Sequence, residues 1–276
     1  MFAVAPEDRH DALPADPCGT AVLLLAGSSG RVERERADLL AAHGARVRTI
    51  RWFGGAGQRP APHEVPLELF VEQVDRLRAE CERVLVFGTS FGAEPALCTA
   101  CVTPVDGVIA FAPSSVVWPG VLDGDWSSHW THRGAPLPFV PFAPGWQPDE
   151  EPPSFRSLYE ESLRRAPESA AAARIPVEQI VGEVVLVAGD DDRVWPAAEF
   201  AARIRASRDE HGLRTTLVSR PDAGHRAILP GEQPAFGGVG MAHGGTPEAD
   251  AALGAAAWPH IVRLLGLQPE SATVSD

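Results

Sequence analysis

Six apolar runs of strand length recur along this 276-residue chain, at 20–26, 47–52, 83–87, 106–111, 183–188 and 213–218. The first, Ala21-Val22-Leu23-Leu24-Leu25-Ala26, is apolar at every position rather than at alternate ones. A strand of that kind has to bury both of its faces, as a parallel strand does when helices cover it on each side. Helix-compatible stretches lie between the runs, at 32–43, 67–80, 93–101 and 197–209, with a closing helix expected at 247–265. In the second of these, Leu67, Phe70, Val71, Val74 and Leu77 repeat at helical spacing. Alternating strands and helices predict an α/β fold: a mostly parallel sheet flanked by helices on both faces. With no internal repeat and no linker, 1–276 reads as a single domain.

Two stretches depart from the alternation. Residues 1–19 are rich in Pro, Asp and Ala and are expected to be an irregular arm. Residues 114–175 carry Trp118, Trp126, Trp130 and Trp146 among many prolines, without a clean period. A long insertion in a compact domain reads as a lid, and its aromatics either roof a pocket or form a satellite core.

Composition removes several function classes. A formal net charge of −13 leaves no basic surplus to neutralise phosphates, which argues against nucleic acid as a partner. Every basic residue is Arg, so Schiff-base chemistry and a P-loop lysine are excluded. Cys98-Thr99-Ala100-Cys101 has no second pair and falls within an expected helix, so with Cys18 and Cys81 these read as structural thiols rather than metal or redox groups. No metal or cofactor is called for. No leader-like segment and no run of 18 apolar residues are seen, so a cytoplasmic protein without a membrane span is expected.

The chemistry centres on Gly88-Thr89-Ser90-Phe91-Gly92, which follows the third apolar run and precedes a helix. Gly-x-Ser-x-Gly between strand and helix is the pattern of a nucleophile elbow, in which Ser90 occupies a tight, strained turn. Such a serine needs a base within hydrogen-bond reach and a carboxylate to orient that base. The order Ser, Asp, His on successive strand ends is met downstream. After the fifth run comes Gly189-Asp190-Asp191-Asp192-Arg193-Val194-Trp195-Pro196, and after the sixth Asp222-Ala223-Gly224-His225. His225 is expected to be the base, with His243 in reserve. Three adjacent aspartates cannot all be buried as charges. A Gly-x-x-Asp pattern with proline four residues on selects Asp192, with Asp191 second. Backbone N–H groups of Phe91 and of the 27–29 loop, at Ser28, are the expected oxyanion donors. Glu94, in the first turn after the elbow, is expected to stabilise that helix terminus.

Taken together, several stretches resemble the C-terminal catalytic domain of acyl-CoA thioester hydrolases and bile acid-CoA:amino acid N-acyltransferases, within the α/β-hydrolase superfamily. They include Gly27-Ser28-Ser29-Gly30, Arg36 through Gly44, the elbow continued as Gly92-Ala93-Glu94, and Pro113 through Trp118. Ile175-Pro176-Val177-Glu178, Asp192 through Pro196, Ala223-Gly224-His225, Gly244 through Pro247 and Trp258 complete the set. The resemblance implies attack of Ser90 on an acyl thioester, on CoA or an acyl carrier protein, followed by hydrolysis of the acyl-enzyme. Relatives that conjugate amino acids use cysteine as nucleophile, so serine favours hydrolysis over acyl transfer. Members with an N-terminal β-sandwich differ from this chain, in which about 19 residues precede the first core strand. Arg31, Arg34 and Arg36 are the groups that could meet a CoA phosphate. The alternatives are a carboxylesterase or dienelactone-hydrolase-like enzyme acting on oxygen esters, and a catalytically silent binding module.

Overall fold

A computed structural model of the chain describes residues 4–234 and 240–267. Part of the expected 221–245 loop, residues 235–239, lies outside the described residues, as do residues 1–3 of the expected arm. The chain opens with β1 (Arg9–Ala12), β2 (Thr20–Leu25), α1 (Arg34–Ala42) and β3 (Arg46–Ile50). Next come β4 (Val65–Pro66), α2 (Glu68–Arg78), β5 (Arg83–Thr89), α3 (Ala93–Val102) and β6 (Gly107–Phe111). The irregular region holds β7 (Pro119–Leu122), β8 (Asp125–Ser128), β9 (Trp130–His132), β10 (Ala135–Pro136), α4 (Arg156–Arg165) and α5 (Pro167–Ala172). β11 (Glu183–Gly189), α6 (Ala197–Asp209), β12 (Thr215–Arg220) and α7 (Pro247–Leu264) close the fold.

Seven strands form the main sheet in the order β1-β3-β2-β5-β6-β11-β12, and all neighbours run parallel except β1 on β3. Successive residues of a strand point to opposite faces, and both sets are buried here. On one face Leu23, Leu25, Val84 and Val86 meet Phe70, Val74, Leu77, Leu97 and Phe200 of α2, α3 and α6. On the other, Val22, Leu24, Leu85 and Phe87 meet Leu40, Leu253 and Ile261 of α1 and α7. Each such leucine contributes about 1.5–3 kcal/mol by leaving water, which is why consecutive apolar positions persist in these strands.

Two expectations change at the edges of the sheet. The 1–19 arm contains an antiparallel edge strand, β1, with Arg9 opposite Ile50 and Ala12 opposite Val47. Polar Arg9-His10-Asp11 hid this strand in the sequence, and ion pairing holds it: Arg48 Nε donates to Asp11 at 2.6 Å. The last strand starts two residues later than 213, because Arg208 captures the local backbone. Its guanidinium donates to the carbonyls of Gly182 and Arg214, while Leu213 N–H donates back to the Arg208 carbonyl.

Residues 114–175 are joined to the body by strand pairing. β9 pairs in parallel with β4 and antiparallel with β10, while β7 and β8 form a hairpin. Trp118 and Trp130 are fully buried, whereas Trp126 is 53% exposed. Trp118 stacks on Phe142 at 5.6 Å and Trp130 packs on Trp52 at 5.2 Å. Both tryptophans belong to the same apolar core as Leu23, Leu25 and Phe70 on the α2–α3–α6 face of the sheet, so they form no separate satellite core.

Candidate active site

β5 delivers the chain to Ser90, which sits at φ +56°, a left-handed value that non-glycine residues rarely adopt. Close packing of strand, turn and helix over-determines that strain. A Cβ at Gly88 would collide with the Gly92 backbone, and one at Gly92 with the carbonyls of Leu25 and Ala26 at the end of β2. The two glycines of the pentapeptide are therefore required by close backbone approach.

The loops after β11 and β12 bring the other two expected residues to the serine. Ser90 Oγ lies 2.8 Å from His225 Nε2, and His225 Nδ1 lies 2.7 Å from Asp192 Oδ2. Asp192 is fully buried and His225 is 8% exposed. A carboxylate can only accept, so Nδ1–H donates to Asp192 and leaves Nε2 free to accept from the serine. The second Asp192 oxygen accepts from the N–H groups of Val194 (2.8 Å) and Trp195 (3.2 Å). Its neighbour Asp191 instead accepts from Gly245 N–H at 2.8 Å and faces Arg193 at 3.5 Å, tying two loops together. Of the two aspartates weighed, only Asp192 reaches the imidazole.

His243 lies with its ring 6.2 Å from that of His225, and its carbonyl accepts from His225 N–H at 2.9 Å. Partial burial and the nearby Arg226 guanidinium lower its pKa to about 4, so it stays neutral at physiological pH. Asp250 of α7 supports the histidine loop from behind by accepting from Gly224 N–H at 2.7 Å. Burial raises its pKa above the usual carboxylate value.

Ser90 and His225 open into a cleft of about 360 Å³, which Phe91 and Ser28 also line. Arg31, Arg36 and Arg226 line the cleft together with Phe155, Tyr159 and Val194. Arg31 donates to Glu33 at 2.6 Å. Arg36 is neutralised by two-point pairing with Glu232, and its third nitrogen donates to Thr89 Oγ1 at 2.9 Å, directly before the serine. Arg34, grouped with these two in the sequence, does not line the cleft; it bonds His10 at 2.9 Å.

Three features were misread or missed in the sequence, while a fourth reading, of the cysteines, agrees with the structure. Glu94 is fully buried and is not simply a helix-end charge. Its Oε1 accepts from Trp130 Nε1 (2.6 Å) and Trp118 N–H (3.2 Å), and lies 3.3 Å from His129 Nδ1. None of the four insertion tryptophans lines the cleft; Phe155 and Tyr159 do, and no periodicity marks them. Arg226 could have been suspected from its place beside His225. Finally, burial raises the Cys98 thiol well above its usual pKa and that of Cys101 to about 12, as suits inert structural thiols.

Residues 65–268 match a family model described as BAAT / Acyl-CoA thioester hydrolase C terminal. Human acyl-coenzyme A thioesterase 6 is 25% identical over 87% of this chain, which spans 58% of that protein's length. Among solved structures, Pyrococcus horikoshii acylaminoacyl peptidase superposes with TM-score 0.61 at 11% identity, over 99% of this chain and 42% of that one. An esterase from the Planctomycetes species Thermogutta terrifontis gives 0.55 at 14% identity, over 95% and 89% of the two chains. These structural likenesses show a common α/β-hydrolase fold.

Proposed function

The chain belongs to the BAAT / acyl-CoA thioester hydrolase C-terminal family, and on that premise we propose that it is a serine-dependent acyl thioesterase. The observation that carries this reading is the hydrogen-bonded line from Asp192 through His225 to a strained Ser90 at the floor of a cleft. In this reading His225 Nε2 takes the Ser90 proton as Oγ attacks the thioester carbonyl, and Asp192 stabilises the imidazolium that forms. The N–H groups of Phe91 and Ser28 hold the oxyanion. Collapse expels the thiolate, which His225 protonates. Water, deprotonated by the same imidazole, then hydrolyses the acyl-enzyme.

Arg31 and Arg226 on the cleft support an anionic leaving group, and Phe155, Tyr159 and Val194 support an acyl chain. We take CoA or an acyl carrier protein as the carrier, residues 114–175 as a lid on one domain, and the cytoplasm as the compartment. No helix among the described residues is long and apolar enough to cross a membrane.

Ser90→Ala is expected to lower kcat on acyl-CoA by at least about 10⁴ and to abolish the covalent acyl adduct seen by mass spectrometry. Full turnover by that variant would overturn the mechanism. A kcat/KM for matched p-nitrophenyl esters that exceeds that for acyl-CoA at every chain length would overturn the thioester assignment and favour oxygen esters.

A further inference from the structure

Tyr159, the chain's one tyrosine, reaches the cleft from α4 and is 6% exposed. Aromatic edges hold its ring on three sides: Trp118 at 4.6 Å and 87°, Phe142 at 5.4 Å and 83°, and Trp195 at 5.4 Å and 86°. Those rings fix its direction and offer the hydroxyl no strong acceptor. Among the described residues, the Tyr159 hydroxyl has no hydrogen-bond partner. Nearby polar groups behave differently: Trp118 Nε1 donates to Ser114 at 2.8 Å, and Ser162, three residues further along α4, donates to the Leu158 carbonyl at 2.7 Å. Trp195 Nε1 is also unpaired, but it is sealed from solvent, whereas Tyr159 lines the cleft.

Unlike the Trp195 indole nitrogen, the Tyr159 hydroxyl is not sealed from solvent, so it can bond a molecule that enters the cleft. A rigidly held hydroxyl in a cleft that Phe155 and Val194 also line is an arrangement that selects a ligand carrying a matching polar atom. Burial, with Glu94 and Asp192 nearby, pushes its ionisation far up, so it remains a neutral O–H donor. Its position relative to the reacting centre is also defined. The Trp195 ring touches both the Tyr159 ring (5.4 Å) and the His225 ring (5.6 Å), so the tyrosine packs one indole away from the base. With the N–H groups of Phe91 and Ser28 proposed for the oxyanion, the hydroxyl is assigned to an atom further along the acyl chain.

We propose that Tyr159 determines acyl specificity by donating a hydrogen bond to an oxygen on the acyl chain. The preferred substrates are then hydroxyacyl or ketoacyl thioesters rather than plain alkyl ones. The choice of acyl chain over leaving group rests on the thioesterase reading, which sends the anionic carrier toward the arginines.

The test compares octanoyl-CoA with its mono-hydroxy and mono-keto positional isomers, using the wild type and Tyr159→Phe. The wild type is expected to favour at least one oxygenated isomer by about tenfold in kcat/KM, the size of one neutral hydrogen bond. Tyr159→Phe should erase that preference, read within the variant as the ratio of kcat/KM for the oxygenated isomer to kcat/KM for octanoyl-CoA. The thermal midpoint should hold or rise, because the hydroxyl that is removed has no partner to abandon. The inference is overturned if no isomer is preferred, if the preference survives in Tyr159→Phe, or if the variant slows octanoyl-CoA equally. The same acyl groups on p-nitrophenol separate the two readings. If only those esters turn over, the thioester assignment fails while the Tyr159 preference is still measured.

Discussion

The elbow and the 114–175 insertion are built by opposite means. Around Ser90, backbone packs against backbone: strand, turn and helix approach so closely that Gly88 and Gly92 have no room for a side chain. In the insertion, side chains do the holding. Glu94 gathers the Trp118 backbone, the Trp130 indole and the His129 ring, while Trp118 and Phe142 stack and Tyr159 meets both edge to face. Backbone packing demands particular residue types at particular spacings, whereas side-chain packing accepts many combinations of similar volume. The first therefore leaves a motif and the second leaves almost none.

Substitutions can break or sharpen that contrast. The largest effect is expected at the elbow's partners. Asp192→Asn should lower kcat about 10⁴-fold through loss of the imidazolium's partner and of the correct tautomer. Asp191→Asn should change it by no more than about threefold; steady-state kinetics that reversed this order would exchange their roles. Next comes the insertion's anchor. Glu94→Ala strips a buried carboxylate from three donors and should cost about 3–5 kcal/mol of stability by calorimetry. If the cost is under about 1 kcal/mol, the insertion is held by apolar packing alone.

Within the insertion, Trp118→Ala should cost about 3–5 kcal/mol, because it empties a fully buried site. Trp126→Ala, at a half-exposed position, should stay within about 1 kcal/mol. Equal losses at the two tryptophans would contradict the packing of Trp118 into the core.

The smallest effect concerns His243. Its folded pKa of about 4 lies below the ordinary value of 6.5, so the unfolded chain binds the proton more readily between those limits. Stability should therefore fall as pH drops from 6.5 toward 4. His243→Gln should remove part of that acid sensitivity in thermal midpoints measured across the window, with little change above it.

Much of the site could be read in the chain because its parts sit at strand ends. Ser90, Asp192 and His225 each follow an apolar run, and the fold gathers the ends of parallel strands on one side. Asp191 and Asp192 differ only in which way a turn points them, and the Gly-x-x-Asp spacing to Pro196 chose between the two. β1 escaped detection because its residues are polar and its pairing is carried by Arg48 and Asp11 across the sheet edge. The burial of Glu94 was equally invisible, since a glutamate in a first helical turn looks like a terminal charge until its surroundings are known.

Local pattern was sufficient for the six parallel strands of the sheet and its two helical layers, for the elbow, and for the order of the three gathered residues. Hydrophobic runs and backbone-close glycines are short-range constraints that any fold of this chain must satisfy. The tertiary structure alone decided the walls of the cleft: Tyr159, Phe155 and Arg226 face Ser90 across separations of 65 to 136 residues. Such neighbours are selected by volume, ring geometry and charge balance summed over many partners, and no single stretch of sequence carries that sum.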